Sequence, residues 1–346
     1  MAHRVTVQPS GHVFQVPEGD TILAAALNEG FHLPYGCRNG ACGSCKGKVL
    51  EGQIDYGKYQ KNALSDDERA AGYALFCQAK PLTDLVIESR EVGAVKDIVV
   101  KKLPCRVHRL ERVADDVVIL YLKLPANERL QFLAGQYIEF ILKDGSRRSF
   151  SMANAPHDDE FLQLHVRHVP GGAFTDHVFK TMKERDILRF EGPLGSFFLH
   201  ASEKPIVFVA SGTGFAPIKA IIESAFKKGV DRPMTLYWGA RRPKDLYLDE
   251  LPRKWAAEHP QQLRYVPVIS EALPEDQWTG RTGFVHRAAM QDLPDLSGRQ
   301  VYACGVPIMV DSAKKDFTTM CKLPEDEFYA DSFTTQADLA QAPSPK

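Results

Sequence analysis

Polar and apolar positions alternate through RVTVQP and HVFQVP near the start of the chain. Period-2 alternation marks half-buried strands, so the two runs predict a hairpin. TILAAALNE follows as a helix, with Asp20 as its candidate N-cap and Gly30 past its end. LVIES reads as the closing strand of this segment, and REVGAVKDIVVKKLP as a linker running into a new strand. From residue 102, CRVHRLERVADDVVILYLKLP gives two alternating strands, GQYIEFILKD and RRSFSMAN give more, and FLQLHVRHVP and EGPLGSFFL complete the run. TDHVFKTM is the one clear short helix there. Short strands at such close spacing predict an antiparallel barrel or sandwich. Near residue 203 the texture changes again. PIVFVASG is an almost continuous apolar strand, the kind buried on both faces, and APIKAIIESAFKKG a helix. MTLYWGAR, a helix around LYLDELPRKWAAEH, LRYVPVIS, RQVYACG and PIMVDSAKKDFTTM continue the alternation into a doubly wound parallel sheet.

The chain has 346 residues, which at ~150 per domain points to about two domains, with three small ones allowed. Lys plus Arg number 43 and Asp plus Glu 44, a balance that argues against nucleic acid or an anionic membrane as partner. No apolar run approaches the ~18 residues that span a bilayer. MAHRVTVQPSGHVFQV lacks the apolar core of a signal peptide, so the expected setting is cytoplasmic. The last thirteen residues, TTQADLAQAPSPK, read as a solvated tail.

The cysteines change the picture. Of seven, three fall in PYGCRNGACGSCKGKV and a fourth follows at Cys77. Cys37, Cys42, Cys45 and Cys77 have the C-x4-C-x2-C…C spacing of plant-type [2Fe–2S] ligands. A loop around an anionic cluster must turn tightly and aim N–H groups at the sulfurs. Gly36, Gly40 and Gly43 supply positions for φ > 0 and close approach, and Arg38 and Lys46 add positive charge. The competing readings are a structural zinc site or free thiols. Zinc sites usually draw on two close pairs, and here only Cys42 and Cys45 form one. Residues 1 to about 92 resemble plant-type ferredoxins, which implies a β-grasp fold.

VFVASGTGFAPIKAII is a strand, a glycine turn and a helix. Gly212 and Gly214 allow backbone to approach a pyrophosphate, and the helix start after Pro217 offers unpaired N–H groups. The third glycine of the dinucleotide fingerprint is missing. YWGARRPKDLYLDE and VYACGVPIMV place Arg241 and Cys304-Gly305 at the ends of other strands, and ligands of such sheets sit at the strands' carboxyl ends. In the barrel segment, Arg148-Ser149-Phe150-Ser151 and the turn-to-helix RHVPGGAFTDHVF are phosphate-friendly features. Taken singly, a solvated arginine, a plain hairpin turn and a buried small cysteine explain them as well.

The order R-x-F-S, G-G-x-F-T, G-T-G-x-A-P, C-G-x-P-x-M resembles the ferredoxin–NADP⁺ reductase superfamily over residues 102 to 333. With the ferredoxin segment in front, the chain resembles NADH-dependent reductase components of bacterial oxygenases, and the run from PYGCRNGACGSCKGKVLEG to ALFCQA resembles the CDP-6-deoxy-Δ3,4-glucoseen reductase group. The resemblance implies a multi-domain α+β and α/β protein. It has a [2Fe–2S] β-grasp ferredoxin domain (1–92), a linker (93–101), an antiparallel FAD-binding barrel (102–202), a doubly wound NAD(P)H-binding domain (203–333) and a flexible tail (334–346). A nicotinamide gives up two electrons as hydride and a [2Fe–2S] cluster accepts one at a time. A flavin can stand between them, and the protein sets position and potential. A plant-type cluster lies near roughly −400 mV, so the last step delivers low-potential electrons to a partner.

By the same resemblance, Cys37, Cys42, Cys45 and Cys77 ligate the cluster. Arg148, beside Ser149, binds the FAD pyrophosphate, Phe150 lies against the isoalloxazine in place of the family's usual Tyr, and Ser151 hydrogen-bonds near its N5. His165, Val166 and Arg167 line the flavin edge, and Gly172 and Thr175 cap the pyrophosphate. Gly212, Thr213, Gly214 and Pro217 receive the nicotinamide nucleotide, with Arg241 and Arg242 towards its adenosine ribose. Cys304 and Gly305 shape the nicotinamide pocket, and Phe333 in DEFYADSF covers the flavin ring. The implied coenzyme is NADH, with NADPH the alternative, and the implied state is a monomer. The acceptor is an oxygenase or dehydrase component. Two other readings compete: a stand-alone flavin or ferric reductase, and a ferredoxin-type carrier on a non-catalytic scaffold. Residues 1–92 hold eleven acidic and nine basic side chains, so charge names no docking partner.

Overall fold

A computed structural model describes residues 2–90 and 98–334. They fall into two compact units, one built on residues 2–90 and the other on Val99–Phe333. Residues 93–97 of the expected linker, and the tail from 335 onward, lie outside the described residues.

The first unit runs β1 (His3–Gln8), β2 (Val13–Val16), α1 (Ile22–Asn28), β3 (Lys46–Glu51), β4 (Ile54–Asp55), α2 (Asp66–Ala70), β5 (Tyr73–Leu75), β6 (Lys80–Pro81) and β7 (Leu85–Glu88). The main sheet has the order β2-β1-β7-β3-β5, with β1 parallel to β7 and β4–β6 a separate ribbon. The predicted hairpin is β1–β2. The LVIES strand forms, but it sits in the middle of the sheet and does not close it. Asp20 is not the cap of α1: the Thr21 hydroxyl accepts from Ala24 N at 3.2 Å instead. Gly30, at φ 82°, lies past the helix end as expected. The short α2 was not anticipated. It carries a full capping box between Ser65 and Glu68.

The second unit opens with a six-stranded antiparallel sheet. It comprises β8 (Lys101–Ala114), β9 (Val117–Lys123), β10 (Tyr137–Ile141), β11 (Arg147–Ser151), β12 (Leu162–Arg167) and β13 (Ile187–Leu194), in the order β11-β10-β13-β8-β9-β12. A bridge between Met152 and Leu164 joins the two edges, so the sheet closes into a barrel. Leu120, Leu122, Ile138, Phe140, Leu164, Val166 and Phe190 alternate inward and fill it. The last strand lies earlier than EGPLGSFFL suggests, and the helix, α3 (Ala173–Lys180), begins two residues before TDHVFKTM. β8 opens one residue ahead of the expected barrel start.

A parallel sheet follows in the same unit. Its strands are β14 (Ile206–Ser211), β15 (Met234–Ala240), β16 (Leu263–Ile269), β17 (Arg281–Thr282), β18 (Gln300–Gly305) and β19 (Phe328–Ser332), ordered β17-β16-β15-β14-β18-β19. Helices α4 (Phe215–Lys227), α5 (Glu250–Glu258), α6 (Val285–Asp292) and α7 (Pro307–Met320) connect them. β14 and its neighbours β15 and β18 carry mostly fully buried residues, as the continuous apolar runs require. Strand order reverses between β14 and β18, which makes their carboxyl ends a topological switch point. α6 packs hard against β15, where a Cβ on Gly239 would stand 2.7 Å from Val285.

Candidate functional site

In the first unit, the four cysteines converge as two pairs. Cys37 N donates to Cys42 Sγ and Cys42 N to Cys37 Sγ, both at 3.3 Å. Cys45 and Cys77 pair through their side chains. Gln78 bridges the loop to the distant ligand: its Nε2 donates to Arg38 O at 3.1 Å and to Cys77 O at 3.0 Å. Main-chain constraint holds the loop. Gly40 has φ 80° and a Cβ there would lie 2.6 Å from Lys58 O. Gly43 also turns with positive φ, but Gly36 does not. Its role is close approach, since a Cβ would stand 3.1 Å from Cys42 Sγ. Arg38 itself adopts φ 60°. Lys46 does not stand as a bare charge beside the loop, because Glu68 neutralises it. Cys37 pulls the Cys42 thiol below its ordinary pKa by hydrogen bonding, with help from Ser44. Hydrogen bonding from Cys45 lowers the Cys77 thiol likewise, and four sulfurs in two pairs, one of each inclined to the thiolate, fit a two-iron cluster.

In the second unit, the nucleotide residues gather at the switch point. Gly212–Gly214 form a 3₁₀ turn at the end of β14, and α4 begins at Phe215. The helix therefore starts before Pro217, which occupies its third position. Trp238 Nε1 donates to Gly212 O at 3.0 Å, and the Trp238 indole stacks on Phe215 at 4.0 Å. A Cβ on Gly214 would lie 2.1 Å from Cys304 O, and one on Gly305 2.1 Å from Ser211 Oγ. The two turns thus touch through backbone, and only glycine permits it.

The barrel contributes its edge to the same place. Ser151 Oγ donates to Asp331 Oδ2 at 3.0 Å, and Cys304 Sγ lies 3.9 Å from the same oxygen. Asp331, on β19, was not singled out from the sequence. Its register partner on β18 is Cys304, the signal that a strand assignment for FYADS would have supplied. Burial raises the Cys304 thiol well above its ordinary pKa, reinforced by Asp331, so it is a neutral donor and no nucleophile. Phe333 N donates to Gly305 O at 2.8 Å, which ties that ring's backbone to the same turn.

The remaining candidates separate by face. Arg148 and Phe150 share the face of β11 that meets Ile138 and Phe140 on β10, and Phe150 packs on Phe174 at 5.1 Å. Among the described residues the Arg148 guanidinium bonds its neighbour's carbonyl, Arg147 O, at 2.7 Å, whereas Arg147 pairs with Glu139 and Glu191. Ser149 bonds Glu139. Val166 points into the barrel core, so only its backbone faces outward. His165 and Arg167 take the other face of β12. There Arg167 salt-bridges Asp116 at 2.7 Å, and its Nη1 would stand 3.1 Å from a Cβ on Gly212. Thr175 turns back into its own loop, donating to Val169 O at 2.9 Å and accepting from Val169 N at 3.1 Å. Arg242 is clamped by Asp276 at 2.6 and 2.7 Å, while Arg241 is exposed and only 4.0 Å from Glu271.

Flavin and nicotinamide fit this ground: a glycine turn lies beside a barrel edge, and two buried polar atoms, His165 Nε2 and Ser332 Oγ, find no hydrogen-bond partner among the described residues. Fold and site together define an iron–sulfur flavoprotein oxidoreductase. Comparison with known families agrees. The 2Fe-2S iron-sulfur cluster binding domain matches residues 5–82, the oxidoreductase FAD-binding domain 104–199 and the oxidoreductase NAD-binding domain 208–315. The chain is 40% identical to the CDP-6-deoxy-L-threo-D-glycero-4-hexulose-3-dehydrase reductase of Yersinia pseudotuberculosis, covering 96% of this chain and 99% of the relative. It is 38% identical to the phenol 2-monooxygenase reductase component DmpP of Pseudomonas sp., covering 98% and 97%. The crystal structure of the reductase GcoB from Amycolatopsis superposes with a TM-score of 0.76 at 34% identity, covering 96% and 99%. The chain belongs to this family of dehydrase and oxygenase reductase components. It carries electrons from NADH through FAD to a [2Fe–2S] cluster and on to a partner enzyme. Among the described residues no helix is long and apolar enough to cross a membrane.

Proposed function

We propose that the chain is the cytoplasmic, monomeric reductase of a two-component system, divided into the five segments given above. The observation that carries this is the convergence of Ser151, Asp331 and Cys304 at the switch point, 3.0 and 3.9 Å from one carboxylate oxygen. Bound there, FAD supplies the step from two-electron hydride to single electrons that the cluster relays.

The protein's own residues do the rest. Arg148 would hold the FAD pyrophosphate by charge-assisted hydrogen bonds, and the α3 N-terminus behind Gly172 would add N–H groups. Thr175, bonded to both Val169 backbone groups, fixes the loop that presents them. Phe150, held by Phe140 and Phe174, stacks beside the isoalloxazine. Ser151 would place its hydroxyl near N5, and Asp331 orients that hydroxyl. Cys304 and Gly305 would wall the nicotinamide, the Gly212–Gly214 turn and the α4 N-terminus would take its pyrophosphate, and Phe333 would cover the flavin ring where the nicotinamide enters. Cys37, Cys42, Cys45 and Cys77 hold the cluster.

NADH is preferred over NADPH: of the two arginines expected towards the adenosine ribose, Arg242 is already held by two carboxylate oxygens of Asp276, and Arg241 has the Glu271 carboxylate 4.0 Å away. The acceptor is a dehydrase or an oxygenase component; relatives of both kinds match over nearly their full length. An anaerobic NADH titration followed by absorbance and low-temperature EPR tests the circuit. Bleaching of flavin and iron–sulfur bands together, with the rhombic signal of a reduced [2Fe–2S] centre, is the expected result. A flavin that bleaches beside a cluster that stays oxidised would replace this reading with a simple flavin reductase.

A further inference from the structure

The short segment at the end of β11 is tied to the parallel-sheet part of the unit by two different elements. Ser151 Oγ donates to Asp331 on β19 at 3.0 Å. Ala153 O accepts from Lys219 Nζ on α4 at 3.1 Å. Barrel backbone holds the N–H groups of the same segment: Met152 N donates to Gln136 O at 2.9 Å and Ala153 N to Gln163 O at 2.7 Å. Lys219 is 8% exposed, an uncommon setting for a lysine, and Glu223 one helical turn further on accepts from it at 2.9 Å. α4 presses on the barrel at a second point, where a Cβ on Gly135 would stand 2.9 Å from Ile221 Cδ1. The helix begins directly after the Gly212–Gly214 turn, and Lys219 lies about 7.5 Å along its axis from Gly214. One helix therefore meets the nucleotide turn at its start and the Ser151 segment little more than a turn later. An apolar side chain of the same length would fill the Lys219 volume at a lower desolvation cost, but it could not hold the carbonyl. What the ammonium adds is the fixed position of Ala153 O.

We propose that Lys219 is a positioning residue for hydride transfer: by holding Ala153 O it fixes the segment that carries Ser151, and so the Ser151 hydroxyl, relative to the Gly212 turn. The inference rests on the reading that Ser151 stands beside the flavin N5.

Two measurements test it. In apoprotein, hydrogen exchange is followed over residues 149–155. Lys219→Met should speed exchange of the Met152 and Ala153 amides about tenfold, and Lys219→Arg, which returns a donor, should restore protection. Lys219→Met/Glu223→Met replaces the whole pair by apolar side chains, a change that usually leaves folding intact, and should loosen the segment equally. In FAD-loaded protein, flavin reduction at saturating NADH is timed by stopped flow. Lys219→Met should slow it about tenfold, and Ser151→Ala by at least as much. The variant carrying both changes should be no slower than Ser151→Ala, because both act on one hydroxyl. A lysine acting only by its charge on the flavin would slow both backgrounds alike, and that additivity overturns the proposal. Unchanged exchange in Lys219→Met overturns it too. Ser151→Ala with wild-type flavin reduction would instead overturn the reading that places Ser151 beside N5.

Discussion

Ser151 donates its hydroxyl hydrogen to Asp331 across 180 positions of sequence, joining the edge of the barrel to the last strand of the parallel sheet. The same carboxylate oxygen lies 3.9 Å from the Cys304 sulfur. One acidic residue thus orients two side chains on the expected hydride path. Asp331→Ala should lower kcat for NADH-dependent ferricyanide reduction by about tenfold or more, the loss associated with a misdirected catalytic hydrogen bond. KM for NADH should change less, because the carboxylate acts on neighbours and not on the dinucleotide. Equal kcat in the variant and the wild type would reduce Asp331 to a packing residue.

Cluster and flavin should be separable by mutation. Cys77 reaches the loop from far along the chain and pairs with Cys45. Cys77→Ser removes one soft ligand while leaving every residue of the second unit untouched. The variant should lose the [2Fe–2S] EPR signal and bound iron, keep FAD, and still reduce ferricyanide with NADH. Electron delivery to a one-electron protein acceptor should vanish. Retention of the acceptor reaction would show that electrons bypass the cluster.

The parts legible in the sequence are those whose determinants lie close together along it. Cys37, Cys42 and Cys45 fall within nine residues, and the Gly212–Gly214 turn follows its strand directly. Three-dimensional pairing decided the rest. β19 shows no alternation by itself and exists because Phe328–Ser332 pair in register with Val301–Gly305. Asp331 was invisible for that reason. Asp20 and Thr21 are both capping types, and only backbone geometry chose Thr21. Nothing local to Arg242 announces its ion pair, because Asp276 lies 34 positions away.

That ion pair makes coenzyme choice testable from both sides. Arg242→Ala should leave NADH kinetics within about twofold, since the guanidinium is already committed to Asp276 and Glu275. Asp276→Ala removes the bidentate partner and leaves only the looser contact to exposed Glu275, and kcat/KM for NADPH should rise several-fold with NADH little changed. A selective loss of NADPH turnover in Arg242→Ala would mean that Arg242 leaves Asp276 to bind the 2′-phosphate.

Buried histidine gives the stability a pH dependence with a definite sign. Burial, with the Lys219 charge adding to it, pushes the His165 imidazole down to about 3 from an ordinary 6.5. Between those values the unfolded chain takes up a proton that the folded chain refuses. Stability is therefore complete above pH 6.5 and falls as pH drops towards 3, at a slope of up to about 1.4 kcal/mol per pH unit from this residue. His165→Gln has no titrating group and should lose that part of the slope. Thermal midpoints of the two proteins at about pH 7 and about pH 5 measure it, and the wild type should fall further. Parallel losses in both would place the acid sensitivity elsewhere, with the paired carboxylates of Asp159, Asp176 and Asp276 next in line. Their pKa values are lowered by Arg129, Lys180 and Arg242, so they too weaken the fold on protonation, but only as pH falls into the carboxylate range.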